Sequence, residues 1–148
     1  KTYCGAKLAG VKETLVSMKS RCVFLEVTTL VVPGLNDSPQ ELAALAKFIA
    51  NDLGTDTPWH ISRFHPTYKL TDRPATSVHT LMTAVEIGVR AGLKFVYTGN
   101  VPGEEREKTF CYACGKILID RWGFNVRNYA IIDGRCRYCG AVIHGVGL

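Results

Sequence analysis

Four cysteines carry the plainest chemistry in the chain. Cys111-Tyr-Ala-Cys114-Gly115 and Cys136-Arg-Tyr-Cys139-Gly140 are two Cys-x-x-Cys-Gly knuckles, with 21 residues between Cys114 and Cys136. Each spacing lets a tight turn aim two thiolates at one ion, and glycine accepts the left-handed backbone that follows. Together they predict a zinc-ribbon site for one Zn²⁺, with iron or two disulfides as the alternatives. Four thiolates leave no open coordination position, so the metal would hold the fold rather than activate water. Cys4 and Cys22 have no partner at ligand spacing and read as small hydrophobes. Two knuckles with two unmatched cysteines fit a reducing compartment better than a disulfide framework, and the expected location is cytoplasmic.

Other polar residues offer weaker chemistry. His65, before Pro66, ends a strand-like run, where it could meet a ligand or simply cap backbone groups. His60 and Arg63 lie three apart in that run, so alternation sends them to opposite faces and leaves open which one faces a site. Asn36, Asp37 and Asn100 stand in turns, where such side chains usually bond nearby backbone. Trp59 and Trp122 are expected to pack in the core and the ribbon rather than to stack on bases.

The elements that must position these residues are legible from periodicity. Leu8, Val11, Leu15 and Met18 recur at helical spacing within residues 6–19. Residues 22–32 form a nearly continuous apolar, β-branched run, the pattern of a strand covered on both faces, and Pro33-Gly34 ends it. Ser38-Pro39-Gln40-Glu41 combines an N-cap hydroxyl, proline at the first helical position and a carboxylate three residues on, with Leu42, Leu45, Phe48 and Ile49 as the buried face. A second strand is predicted over 59–65, a third helix over 77–91 with Gly92 as its stop, and a third strand over 94–98. Helices alternating with strands imply a parallel sheet, whose ligand sites lie at strand C-terminal ends. The turn at 99–103 divides the chain into an α/β unit, 1–103, and a four-cysteine ribbon, 104–148.

The order of motifs resembles a known family. Val31-Val-Pro-Gly-Leu-Asn-Asp37 closing a strand, a Ser-capped helix and then Trp59-His-Ile-Ser-Arg-Phe-His-Pro66 are similar to radical SAM enzymes of the pyruvate formate-lyase activating type. Glu26 to Asp37, Asp56-Thr-Pro-Trp-His60, Phe64-His-Pro66, Tyr97-x-Gly-Asn-Val-Pro-Gly103 and the cysteine pairs resemble, more narrowly, the radical SAM protein of the AmmeMemoRadiSam system, over the later half of that family. The resemblance implies a partial (β/α) barrel segment with parallel strands followed by a small C-terminal zinc ribbon. It also implies that the intact enzyme uses S-adenosylmethionine and a [4Fe-4S] cluster to form a 5′-deoxyadenosyl radical and abstract hydrogen from an unknown substrate. His65 takes the place of a cofactor-contacting histidine, Thr28 that of a cofactor-contacting arginine, and Asn100 lines the barrel mouth; no catalytic residue is assigned.

The Cys-x-x-x-Cys-x-x-Cys triplet that binds the cluster is not in this sequence. The chain alone is therefore expected to be inactive and to need a missing N-terminal barrel half or a companion chain. Three strands are also too few to close a barrel, and a cut parallel sheet would expose its edges. A protein substrate is among the partners the resemblance allows. The rival expectation is a non-catalytic module whose ribbon binds a protein or RNA.

Composition narrows these readings. A chain of 148 residues with 47% hydrophobic and 21% charged residues suits a globular core with a small appendage. No run approaches the roughly 20 apolar residues of a membrane helix. The net charge of +5 is scattered, and a nucleic-acid partner is not expected. Residues 104–148 carry seven Lys/Arg and five Asp/Glu, and the −2 of a zinc tetrathiolate would cancel that excess.

Overall fold

The computed structural model describes residues 5–101, 107–122 and 125–148. Helix α1 (Leu8–Ser20), strand β1 (Val27–Val31), helix α2 (Pro39–Phe48), strand β2 (Trp59–Arg63), helix α3 (Val78–Arg90) and strand β3 (Val96–Gly99) follow in that order. Helix α2 runs directly into one π-helical turn, Ile49–Leu53. The ribbon adds β4 (Thr109–Phe110), β5 (Ile117–Trp122), β6 (Asn125–Tyr129), β7 (Ile131–Ile132) and β8 (Arg135–Cys136). Cys4 and the expected boundary between residues 103 and 104 lie outside the described residues.

The first three strands form a parallel sheet in the order β1-β2-β3, as helices between strands require. Its register sets Thr28 opposite His60 and His60 opposite Tyr97. The described residues make an open three-stranded sheet and close no barrel.

Helices cover one face of this sheet. Val31, Trp59, Ile61 and Val96 are buried in a core with Leu42, Ile49, Leu53, Leu81 and Val85. Trp59 is fully buried, and its indole N–H donates to Thr29 Oγ1 at 2.9 Å. Burying each large side chain of this kind contributes roughly 2–3 kcal/mol relative to exposure.

The helix starts follow their caps. Ser38 Oγ accepts from the Glu41 N–H and donates to Glu41 Oε2 at 2.7 Å, which fixes the first turn of α2. Ser77 Oγ accepts from the Thr80 N–H at 3.0 Å. Gly92, at φ +93°, ends α3.

Four expectations need correction. The apolar run 22–32 is not all strand: Cys22 takes a left-handed turn (φ 58°), and the Val23 N–H donates back to Met18 O, closing α1. Nor is β1 covered on both faces, since Leu30 is 47% exposed opposite the helices. In α1 only Leu15 packs against the core, while Leu8 is 71% exposed; the apolar stripe outreaches the surface available to it. Trp122 is 55% exposed rather than packed, with the Arg127 guanidinium 5.6 Å from its ring centre.

The ribbon forms an antiparallel sheet β4-β5-β6 and a β7-β8 hairpin. Its core joins Leu118, Ile131 and Ile143 to Phe95, which comes from the approach to β3. The ribbon is thus seated on the face of the parallel sheet that the helices leave bare.

The tightest point of the helix-covered face is Gly88. A Cβ there would lie 2.9 Å from Trp59 Cε3 and 3.0 Å from Val96 Cγ2. Gly88→Ala is expected to lower stability by about 1–2 kcal/mol in urea unfolding, overpacking outweighing the helix propensity gained. A stabilised variant would contradict this packing.

Candidate functional site

The two cysteine knuckles are built alike. Gly115 donates its N–H to Cys111 O at 2.8 Å, and Gly140 donates to Cys136 O at 2.9 Å. Both glycines have positive φ, 71° and 74°, where a side chain would be strained. The Cys111 N–H donates to Lys116 O and the Cys136 N–H to Ala141 O, so each first cysteine is fixed by a matching backbone bond. Cys111 and Cys136 are buried, and Cys114 and Cys139 are exposed.

The four Sγ atoms lie within 4.8 Å of one another. Cys111 and Cys139 are 3.7 Å apart, and Cys114 and Cys136 are 3.8 Å apart. A disulfide needs about 2.05 Å, whereas a tetrahedral ion with 2.3 Å metal–sulfur bonds sets its sulfurs about 3.8 Å apart. The arrangement can hold one metal ion and has the spacing of a tetrathiolate site.

Crowding shifts the acidity of Cys136 and Cys139 in opposite directions. Burial pushes the Cys136 thiol up, yet backbone N–H groups at Tyr138 and Cys139 and the neighbouring thiols of Cys139 and Cys111 outweigh it and bring it down to about 7. The backbone N–H of Ala141 pulls Cys139 down, but burial and the thiols of Cys114, Cys136 and Cys111 push it up to about 12. Cys136 is therefore the more readily ionised of the two, and Cys139 holds a proton that a bound cation would have to displace.

The other sequence-derived residues separate into two levels. His65 and Asn100 meet at the C-terminal ends of β2 and β3, with His65 Nε2 3.4 Å from Asn100 O. Asn100 has φ 62°, and its amide donates to Ser62 Oγ at 3.1 Å and to Arg63 O at 3.3 Å, tying the two strand ends. Thr28 is exposed on β1 level with His60, not with His65. Asn36 and Asp37 serve the turn, accepting from the N–H groups of Val32 and Gly34.

The undecided pair resolves cleanly. Arg63 alternates with Trp59 and Ile61 on the helix-covered side, and its Nε donates to Thr76 O at 2.8 Å. His60 stands on the bare face. Its Nε2 is 2.9 Å from Glu26 Oε2, and its ring stacks on Tyr97 with centroids 4.9 Å apart. The Tyr97 hydroxyl lies 3.1 Å from Thr109 Oγ1. Burial raises the Tyr97 pKa, against the lowering effect of Thr109 and Arg121.

Glu26, Tyr97, Thr109 and Arg121 were not singled out as site residues from sequence. They come from the approach to β1 and from β3, β4 and β5, in two sheets, so no spacing announces them. The only signal is the two-residue alternation that puts Glu26, His60 and Tyr97 on one face. A carboxylate bonded to an imidazole is an arrangement able to orient the ring for proton exchange.

Comparison with known proteins adds one relative. The chain is 45% identical over 145 residues to the uncharacterized protein MJ0808 of Methanocaldococcus jannaschii. The matched region is 97% of this chain and 44% of that protein. No family model matches the chain, and no solved structure matches it. Among the described residues, no helix is long and apolar enough to cross a membrane.

Metal binding must expel the protons that the crowded thiols retain. Affinity of the metal-free chain, measured by competition with a chromogenic chelator, is expected to fall steeply from pH 8 to pH 6 and to drop by orders of magnitude in Cys139→Ser. Affinity independent of pH would contradict a site made of four thiolates.

Proposed function

We propose that this chain supplies the closing βα units and the C-terminal zinc ribbon of a radical SAM enzyme of the kind found in the AmmeMemoRadiSam system. The observation that carries this reading is the sheet: three consecutive parallel strands in sequence order, helices on one face only, and an opposite face that the ribbon covers at Phe95 and Tyr97 and leaves open at Leu30. Adjacent staves of a β/α barrel have this form, with the bare face turned to the lumen. The longer relative, of which the match spans 44%, has room for further staves.

The fit to each implied group differs. A cluster that keeps one iron open needs three thiolates arranged apart from the ribbon; among the described residues only Cys22 remains outside it, so these residues do not hold a cluster. For S-adenosylmethionine, His65 and Asn100 stand at the strand C-terminal ends, where parallel strands present ligands, and Thr28 lies further back along β1, level with His60. His65 would offer a ring nitrogen, and the Asn100 backbone at the strand end would border the ligand, its amide already engaged by Ser62 and Arg63. When bound and reductively cleaved, S-adenosylmethionine supplies the hydrogen-abstracting equivalent.

The ribbon ion is Zn²⁺ in this reading, because four thiolates around one tetrahedral centre are its structural preference. It holds the C-terminal unit against the sheet and takes no part in bond breaking.

A binding-module reading draws on the exposed Trp122 and Tyr129 of the ribbon. Two measurements separate it from the enzyme. The coding region before Lys1 should encode Cys-x-x-x-Cys-x-x-Cys in the same or a partner gene. The anaerobically reconstituted protein should then release 5′-deoxyadenosine, while the 148-residue chain alone should release none. Absence of the triplet from both genes would sink the enzyme reading. Elemental analysis should find about one zinc per chain; iron, or no metal in folded reduced protein, would overturn the zinc assignment.

A further inference from the structure

Between the bare face of the parallel sheet and the ribbon lies a cavity of about 270 Å³. Glu26, His60 and Tyr97 form its floor, and Thr109, Arg121 and the C-terminal segment 143–148 face them from the ribbon. It sits toward the N-terminal ends of the strands, away from His65 and Asn100.

Arg121 is the feature that the fold does not account for. Its Nε is shut off from solvent and has no hydrogen-bond partner. Its Nη2 makes a single long bond to Thr109 Oγ1 at 3.4 Å, and its Cζ lies 5.8 Å from the centre of the Tyr97 ring. The neighbouring acids are engaged elsewhere: Glu26 pairs with His60 and Asp120 with Lys108. Among the described residues no carboxylate pairs with Arg121. A guanidinium stays charged at any working pH, and buried charge without a partner is unfavourable.

We infer that this cavity is a binding site for a small organic monocarboxylate with an apolar body, gripped by Arg121. Turned away from Thr109, the guanidinium would bring its shielded Nε and its Nη2 to the cavity, the two donors that hold a carboxylate side-on, as Arg73 Nε and Nη2 hold the two oxygens of Asp72 at 3.1 and 3.0 Å. The Tyr97 hydroxyl, shared with Thr109, adds a neutral donor beside them. Phe24, Ile119, Ile131 and Ile143 supply apolar wall, which a hydrocarbon body fills and an inorganic anion does not. Charge suits a single anionic group: Glu26 and Arg121 leave the cavity near neutral, and one guanidinium offers no partner for the second charge of a dianion such as a phosphate monoester. The volume stands at the small end for ligand sites. Every residue involved belongs to this chain, so the inference stands independently of the radical SAM reading.

The test is an NMR titration of the isotope-labelled, metal-loaded 148-residue chain with phenylacetate and with isocaproate. Phenylacetamide and inorganic phosphate serve as controls. Saturable shifts are expected at Arg121 Nε–H and the Tyr97 ring with a carboxylate, and affinity at least about tenfold weaker for the amide and for phosphate. Arg121→Gln should weaken carboxylate binding by about tenfold or more, and Tyr97→Phe, which keeps the ring stack, by roughly threefold. No saturable shift with either carboxylate at millimolar concentration would overturn the site. Equal binding of phenylacetamide, or undiminished binding by Arg121→Gln, would overturn the role of the guanidinium. Should Arg121→Gln fail to fold, Tyr97→Phe and the amide control decide the matter in the same way.

Discussion

A strand can offer only every second side chain to either face of its sheet, and here the helices claim one of the two sets. Val31, Trp59, Ile61 and Val96 go beneath α2 and α3. Thr28, His60 and Tyr97 are thereby forced to the other side, level with one another. The place where the ribbon lands and the pairing of Glu26 with His60 follow from that division. Along the strand direction the chemistry falls into two regions. The strand C-terminal ends gather His65 and Asn100, and the N-terminal ends, under the ribbon, gather Glu26, His60, Tyr97 and Arg121.

The ribbon is too small to be held by its apolar residues alone, and its core is shared. Cys111 and Cys136 are buried beside Leu118, Ile131 and Ile143, with Phe95 of the parallel sheet completing the cluster. A metal that ties the two knuckles together therefore stabilises more than the ribbon. It fixes β5, and with it Ile119 and Arg121, over the face that carries Tyr97. His144 adds a polar tie, its Nε2 3.6 Å from Asp56, an acid that also pairs with Lys94. Loss of the metal would loosen the roof of the cavity before it disturbed the core around Trp59, because the two cores have no buried residue in common.

Local signals were the most legible in the sequence. Ser38, Pro39 and Glu41 mark a helix start because capping involves residues within one turn of each other. Gly92 and the two Cys-x-x-Cys-Gly knuckles are readable for the same reason. The parallel order of strands followed from the helices between them. What could not be read depends on contacts distant in the chain. The apolar run 22–32 gave no hint that Thr28 and Leu30 would be uncovered, since hydrophobicity does not say whether a second layer is at hand. The stripe on α1 likewise exceeds what the core can bury. Glu26, His60, Tyr97, Thr109 and Arg121 converge only once two sheets are docked, and no periodicity encodes a docking. Trp122 misled because its size suggests a core, whereas its strand presents it to solvent beside Arg127.

The division of faces is open to direct measurement by the nuclear Overhauser pattern of the labelled chain. Parallel pairing predicts backbone cross-peaks linking β1 to β2 and β2 to β3 in the register Thr28–His60–Tyr97, contacts between the His60 and Tyr97 rings, and a Trp59 indole N–H slow to exchange. Antiparallel cross-peaks between these strands, or a His60 ring in contact with α2 or α3 instead of Tyr97, would contradict the account at its root.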